Sequence, residues 1–162
     1  MPAMPDVPAR QLKILVLHGP NLNLLGRREP HVYGTTTLAE IDARLRALAA
    51  ELGVEIETLQ SNHEGALLDA MHARIDQVDG CLLNAGAFTH TSVALHDCIK
   101  ALPYPVVEVH LSNTHAREPF RRRSYLSPAV LGTVQGFGWR SYTAALRALV
   151  EWLREREPPA QG

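Results

Sequence analysis

Residues 37–59 read TLAEIDARLRALAAELGVEIETL, and this stretch decides the fold. Thr37-Leu38-Ala39-Glu40 has the form of a capping box, in which hydroxyl and carboxylate satisfy each other's orphan backbone donors. The helix it opens carries Ile41, Leu45, Leu48 and Leu52 at helical spacing. Gly53 suits the left-handed residue that ends such a helix. Val54 to Leu59 then reads as a strand. Upstream, Leu12 to Leu17 is an apolar run broken only by Lys13, the pattern of a buried strand. Strand, helix and strand in that order form a parallel βαβ unit.

The alternation continues downstream. Glu64 to Val78 is expected as a helix with Leu67, Leu68, Met71 and Ile75 inward. Cys81-Leu82-Leu83 is a short strand ending at Asn84-Ala85-Gly86. A helix from Ser92 to Leu102 turns Val93 and Ile99 inward, and Pro105 introduces a strand over Val106 to Leu111. An arginine-rich stretch leads to a fifth strand around Val130 to Val134. The last helix, Ser141 to Arg156, buries Tyr142, Leu146, Leu149 and Leu153. Right-handed crossovers distribute the helices over both sheet faces. The expected fold is α/β and flavodoxin-like: an open five-stranded parallel sheet with helices on both faces, in a single domain over residues 11–156. Residues 1–10, with Pro2, Pro5 and Pro8, read as a disordered leader, and residues 157–162 as a frayed tail.

Bulk composition narrows the function. A length of 162 residues suits one core, and 46% hydrophobic residues is the usual share for a globular protein. No apolar run approaches the ~18 residues of a membrane span, and no signal-peptide core is present, so a cytoplasmic location is expected. A net charge of -1 leaves no global field to attract nucleic acid. Arg121-Arg122-Arg123 is short and reads as a solvated face or subunit contact. Cys81 and Cys98, in apolar surroundings, read as buried reduced thiols. The eight histidines show no metal-ligand spacing, so no metal is expected.

In open parallel sheets ligands bind outside the carboxyl ends of the strands, where strand order reverses. Those ends carry Asn21 and the segment Gly26 to Gly34 after the first strand, Asn84 and His90 after the third, and Glu108, His110 and Ser112 at the fourth. Glu108 and His110, two apart on a strand, share a face. A carboxylate beside an imidazole there can orient the ring and favour its acid form. Tyr33, in a loop bounded by Gly26 and Gly34, is a base only with help, because a free phenol has a pKa of about 10. A guanidinium folded back from Arg28 would lower it. The loop reads as a lid. Asn21 and Asn84 read either as turn residues or as holders of a water or a substrate hydroxyl. The two lysines, Lys13 and Lys100, both belong at the opposite edge, which argues against a Schiff base. A flavin- or nucleotide-holding domain would explain the fold but neither pairing. A DNA-associated role would rest on Arg121 to Arg123 alone.

The run Leu17-His18-Gly19-Pro20-Asn21-Leu22-Asn23-Leu24-Leu25-Gly26-Arg27-Arg28-Glu29-Pro30, then Val32-Tyr33-Gly34, resembles the opening signature of the type II 3-dehydroquinate dehydratases. Gln60-Ser61-Asn62-His63-Glu64-Gly65, Thr89 to Leu95, Glu108 to Asn113, His115 to Glu118 and Ser124-Tyr125-Leu126-Ser127 continue the likeness over roughly Leu12 to Leu153. The resemblance implies a hydro-lyase that converts 3-dehydroquinate to 3-dehydroshikimate plus water, a step of the shikimate pathway that quinate breakdown also uses. It implies no cofactor and no Schiff base. Carried over, Tyr33 is the base, Arg28 its activator, and Asn21 the holder of a water on the enolate oxygen. His110 is the acid, oriented by Glu108. Asn84, His90, Asp97, Leu111, Ser112, Arg121 and Arg117 match substrate-binding positions. The resemblance also implies a homo-oligomer, a dodecamer built as a tetramer of trimers. Pro119 stands where an acidic residue is commoner in the family.

Overall fold

A computed structural model describes residues 10–156. Five parallel strands form one sheet: β1 (Lys13–His18), β2 (Glu55–Gln60), β3 (Gly80–Asn84), β4 (Val106–His110) and β5 (Gly132–Gln135). Their spatial order is β2-β1-β3-β4-β5. The chain steps from β1 outward to β2, then returns to the other side of β1, so the order reverses between β1 and β3. The helices are α1 (Pro30–Tyr33), α2 (Leu38–Leu52), α3 (Glu64–Ala73), α4 (Val93–Ala101) and α5 (Arg140–Arg156). The expected flavodoxin-like architecture is what the chain adopts. The readings of residues 1–9 and 157–162 fall outside the described residues.

Strand parity builds two cores. Ile14, Val16, Leu82, Val107 and Val109 face one side and meet Ile41 and Leu45 of α2 and Leu146 and Leu149 of α5. Leu15, Leu17, Cys81, Leu83 and Val106 face the other and meet Leu67 and Met71 of α3 and Leu95 and Ile99 of α4. Each such side chain contributes about 1.5–3 kcal/mol by leaving water. β1, β3 and β4 are covered on both faces and almost wholly buried, whereas the edge strands β2 and β5 are only half-buried. The capping box at Thr37 forms in both directions, and Gly53 ends α2 at φ 70°. Burial pushes the thiols of Cys81 and Cys98 upward, and both are free.

Three expectations need correction. The helix expected over Glu64 to Val78 stops at Ala73, and the chain leaves through turns in which Asp76 takes φ 69°. Ile75 lies in those turns and is exposed instead of inward. Val93 is the first residue of α4, ahead of the turn that docks on the sheet, and is 55% exposed. Among the described residues no helix is long and apolar enough to cross a membrane.

Candidate active site

The strand-order reversal leaves a crevice between the ends of β1 and β3, and close backbone approach shapes it. A Cβ on Gly19 would lie 2.6 Å from the carbonyl of Ala85, so only glycine lets the two loops touch. Gly19 N donates to Asn84 O at 2.7 Å, locking the strand ends together. The cleft above them is lined by Asn21, Arg28, Tyr33, Asn84, His90, His110, Leu111, Ser112, Arg117 and Arg121, among others. Residues read from separate strands thus converge on one cleft. Glu108 stands one layer behind His110, in an adjoining cavity. Asp97 does not join them: it lies on the exposed side of α4, apart from this chain's cleft.

The Glu108–His110 pair is the most tightly built part. Both side chains are almost buried, and His110 Nε2 lies 2.5 Å from Glu108 Oε2. The same carboxylate accepts from Ser124 Oγ at 3.0 Å and from Ser127 Oγ at 2.9 Å. Burial alone would push the Glu108 carboxyl up. The hydrogen bond and charge of His110 and the hydroxyls of Ser127 and Ser124 outweigh it and hold the carboxyl below its usual range. The sequence reading found the pair but gave no role to Ser124 and Ser127. Their motif stood out only as part of the resemblance, and irregular chain offers no periodic signal.

Tyr33 ends α1, a single turn that Pro30 opens and Gly34 closes. Gly26 at φ 91° and Gly34 at φ 80° bound the segment in conformations that favour glycine. The guanidinium carbons of Arg28 and Arg117 each lie 5.0 Å from the Tyr33 ring centroid, within cation–π range. Arg28 does fold back onto the tyrosine, as its position in the loop suggested, and Arg117 joins it from the segment after β4. Arg117 Nη1 also reaches Ser112 Oγ at 3.4 Å, while Arg28 Nε lies 3.8 Å from Glu29.

Asn21 takes φ 68°, a left-handed conformation that Asn tolerates, and its side chain makes no capping bond. It is therefore both a turn residue and a lining residue. His90 is anchored through Nδ1 to Arg123 O at 2.8 Å. Arg121 is held by Glu118 at 2.6 Å, in the turn that Pro119 begins. Among the described residues no group of three or more His, Cys, Asp or Glu could hold a metal ion. Lys13 opens β1, and Lys100 lies near the start of β4, both at the edge opposite the cleft.

A family model, Dehydroquinase class II, matches residues 12–150. The chain is 57% identical over 143 residues to a 3-dehydroquinate dehydratase of Nostoc sp., covering 88% of this chain and 97% of the relative. It is 54% identical over 148 residues to one from Jannaschia sp., covering 91% and 100%. Among solved structures, the type II dehydroquinase of Butyrivibrio crossotus superposes with a TM-score of 0.84 at 37% identity, over 86% of this chain and 97% of that one. That of Propionibacterium acnes gives 0.83 at 40% identity, over 88% and 99%. With a family model spanning nearly the whole folded domain and relatives above half identity over full length, the chain belongs to the class II dehydroquinase family.

Proposed function

We propose that the protein dehydrates 3-dehydroquinate to 3-dehydroshikimate, with Tyr33 as base and His110 as acid. The observation that carries this reading is the meeting of two unlike groups in one cleft: a tyrosine flanked by two guanidiniums and a histidine backed by a buried carboxylate. Tyr33, as tyrosinate, takes the proton on the carbon next to the ketone, and the C–H electron pair moves into an enolate. Arg28 and Arg117 place their guanidiniums over the Tyr33 ring, so two positive charges stand beside the reacting group. Asn21 supports the enolate oxygen through a water. Collapse of the enolate breaks the C–O bond, and the departing hydroxyl takes a proton from His110 to leave as water. Glu108 holds the ring through Nε2, which leaves Nδ1 as the nitrogen available to the substrate. Asn84, His90, Ser112, Arg121 and the end of β4 at Leu111 hold the remaining polar groups of the substrate.

The relatives named as 3-dehydroquinate dehydratases support the substrate. The reaction belongs to the shikimate pathway, and we place the enzyme in the cytoplasm as a dodecamer of four trimers. In such an assembly Asp97, exposed on its own chain, would be offered to a neighbouring copy. The decisive experiment is to add 3-dehydroquinate and follow the ultraviolet absorbance of the conjugated product. Steady growth of that band is expected without added cofactor, and a flat trace would overturn the proposal.

A further inference from the structure

Behind the cleft lies a buried polar chain of which the reaction above uses only the last member, Asn84. Asp42 Oδ1 is 2.8 Å from His18 Nε2. His18 Nδ1 is 2.8 Å from the hydroxyl of Tyr142. Asn84 Nδ2 donates to that hydroxyl at 3.0 Å, and Asn84 Oδ1 accepts from Gly86 N at 3.2 Å. His18, Tyr142 and Asn84 are 1%, 0% and 3% exposed, and Asp42 alone reaches the surface, with 17% of its side chain exposed. Tyr142 sits within the apolar cluster between α2, α5 and the sheet. A phenylalanine would fill that space without a buried hydroxyl to satisfy, so the phenol needs a reason.

We propose that Asp42, His18 and Tyr142 are positioning residues that set the side-chain amide of Asn84 for a hydroxyl of the substrate, and this rests on the dehydratase reading. With a neutral imidazole at His18 the donor inventory allows one arrangement. A carboxylate only accepts, so His18 carries a proton on Nε2 and points it at Asp42. Nδ1 then accepts, and the Tyr142 hydroxyl donates its single proton to it. With that proton committed, the phenol oxygen can only accept, so it takes an N–H and never the oxygen of Asn84. Gly86 N–H demands the amide oxygen on the other side. The amide is held at both ends and keeps one N–H and one lone pair for a ligand in the cleft that it lines. Burial pushes the Tyr142 phenol upward, against the opposing effect of the Asn84 bond, which keeps the proton in place.

The test is a double-mutant cycle on the full-length protein, with turnover of 3-dehydroquinate as the readout. Tyr142→Phe should raise KM about tenfold and change kcat less, since one charge-neutral hydrogen bond to a binding group is lost. In an Asn84→Ala background the same substitution should change KM less than about twofold, because coupled groups are not additive. An unchanged KM in Tyr142→Phe, or a full tenfold effect on top of Asn84→Ala, would overturn the proposal. Nitrogen-15 NMR of the unmodified protein with labelled histidine gives an independent reading. His18 should show a proton on Nε2 and a bare Nδ1; a proton on Nδ1 would break the relay even if Tyr142→Phe fails to fold. No turnover by the unmodified protein would sink the dehydratase reading, and the tautomer would still decide the relay.

Discussion

Two parts of the cleft lining, around His110 and around Tyr33, are built by different means. His110 stands on a central strand, with its carboxylate partner two residues away and two serine hydroxyls behind that. Tyr33 stands on one turn of helix between two left-handed glycines, flanked by one guanidinium of its own loop, Arg28, and one of a distant segment, Arg117. The proposed acid is held by short hydrogen bonds inside a core, and the proposed base by cations at a loop. The difference teaches that a group set on a strand brings its environment with it. A group on a loop completes its environment only when a segment distant in sequence, here that of Arg117, closes on it.

That contrast can be broken or sharpened in order of expected effect. Tyr33→Phe should lower kcat by roughly 10²–10⁴-fold, the range for loss of a general base, while stability stays within about 0.5 kcal/mol. A denaturant titration beside the rate assay checks both, and a freely active variant would remove Tyr33 from its role. Arg28→Ala and Arg117→Ala should each cost about 10–10² in kcat/KM, since each removes one of two cations at the ring. If either loses nothing, that cation is not engaged in the transition state. Glu108→Ala should invert the pattern seen at Tyr33. It leaves His110 and two hydroxyls without their acceptor in the interior, and a loss of about 2–3 kcal/mol is expected in chemical unfolding.

Acid should reveal the same wall. The Glu108 carboxyl titrates below its unfolded value. Its contribution to stability is therefore present above the ordinary carboxylate range and is lost as pH falls through the folded value. Ser124→Ala combined with Ser127→Ala removes two donors and raises the folded value, so the acid loss should be smaller and complete at a higher pH. Melting temperatures taken across the acid range test this, and coincident curves would show that the serines do not hold the charge. The smallest effect is expected from exhaustive dialysis against a chelator, which should leave the rate unchanged; a rate restored only by added metal would contradict the proton-transfer scheme.

Much of this was legible in the chain itself. The short apolar runs and the period-3.6 patterns placed all five strands and the four long helices, and the rule for strand ends brought Asn21, Asn84 and His110 to one edge before any geometry. The failures have physical causes. The single turn of α1 is too short for periodicity to show. Ile75 and Val93 fit an apolar pattern at the margins of helices, where the chain is already leaving or has not yet met the sheet. Asp97 fits the family's pattern but not its own chain's cleft. Tyr142 was read as one more apolar residue of the last helix. Its ring does fill the core, but its hydroxyl meets His18, 124 positions away, a pairing that no local pattern encodes.

The scarcity of lysine has a practical side. The two ε-amines, Lys13 and Lys100, sit at the edge of the sheet away from the cleft, whereas arginines line its mouth. An amine-reactive resin that couples through these lysines would grip the protein by its back and leave the reaction chamber facing solution. A dicarbonyl reagent that modifies guanidinium groups would do the opposite, reaching Arg28, Arg117 and Arg121 and silencing the enzyme while both amines stay free.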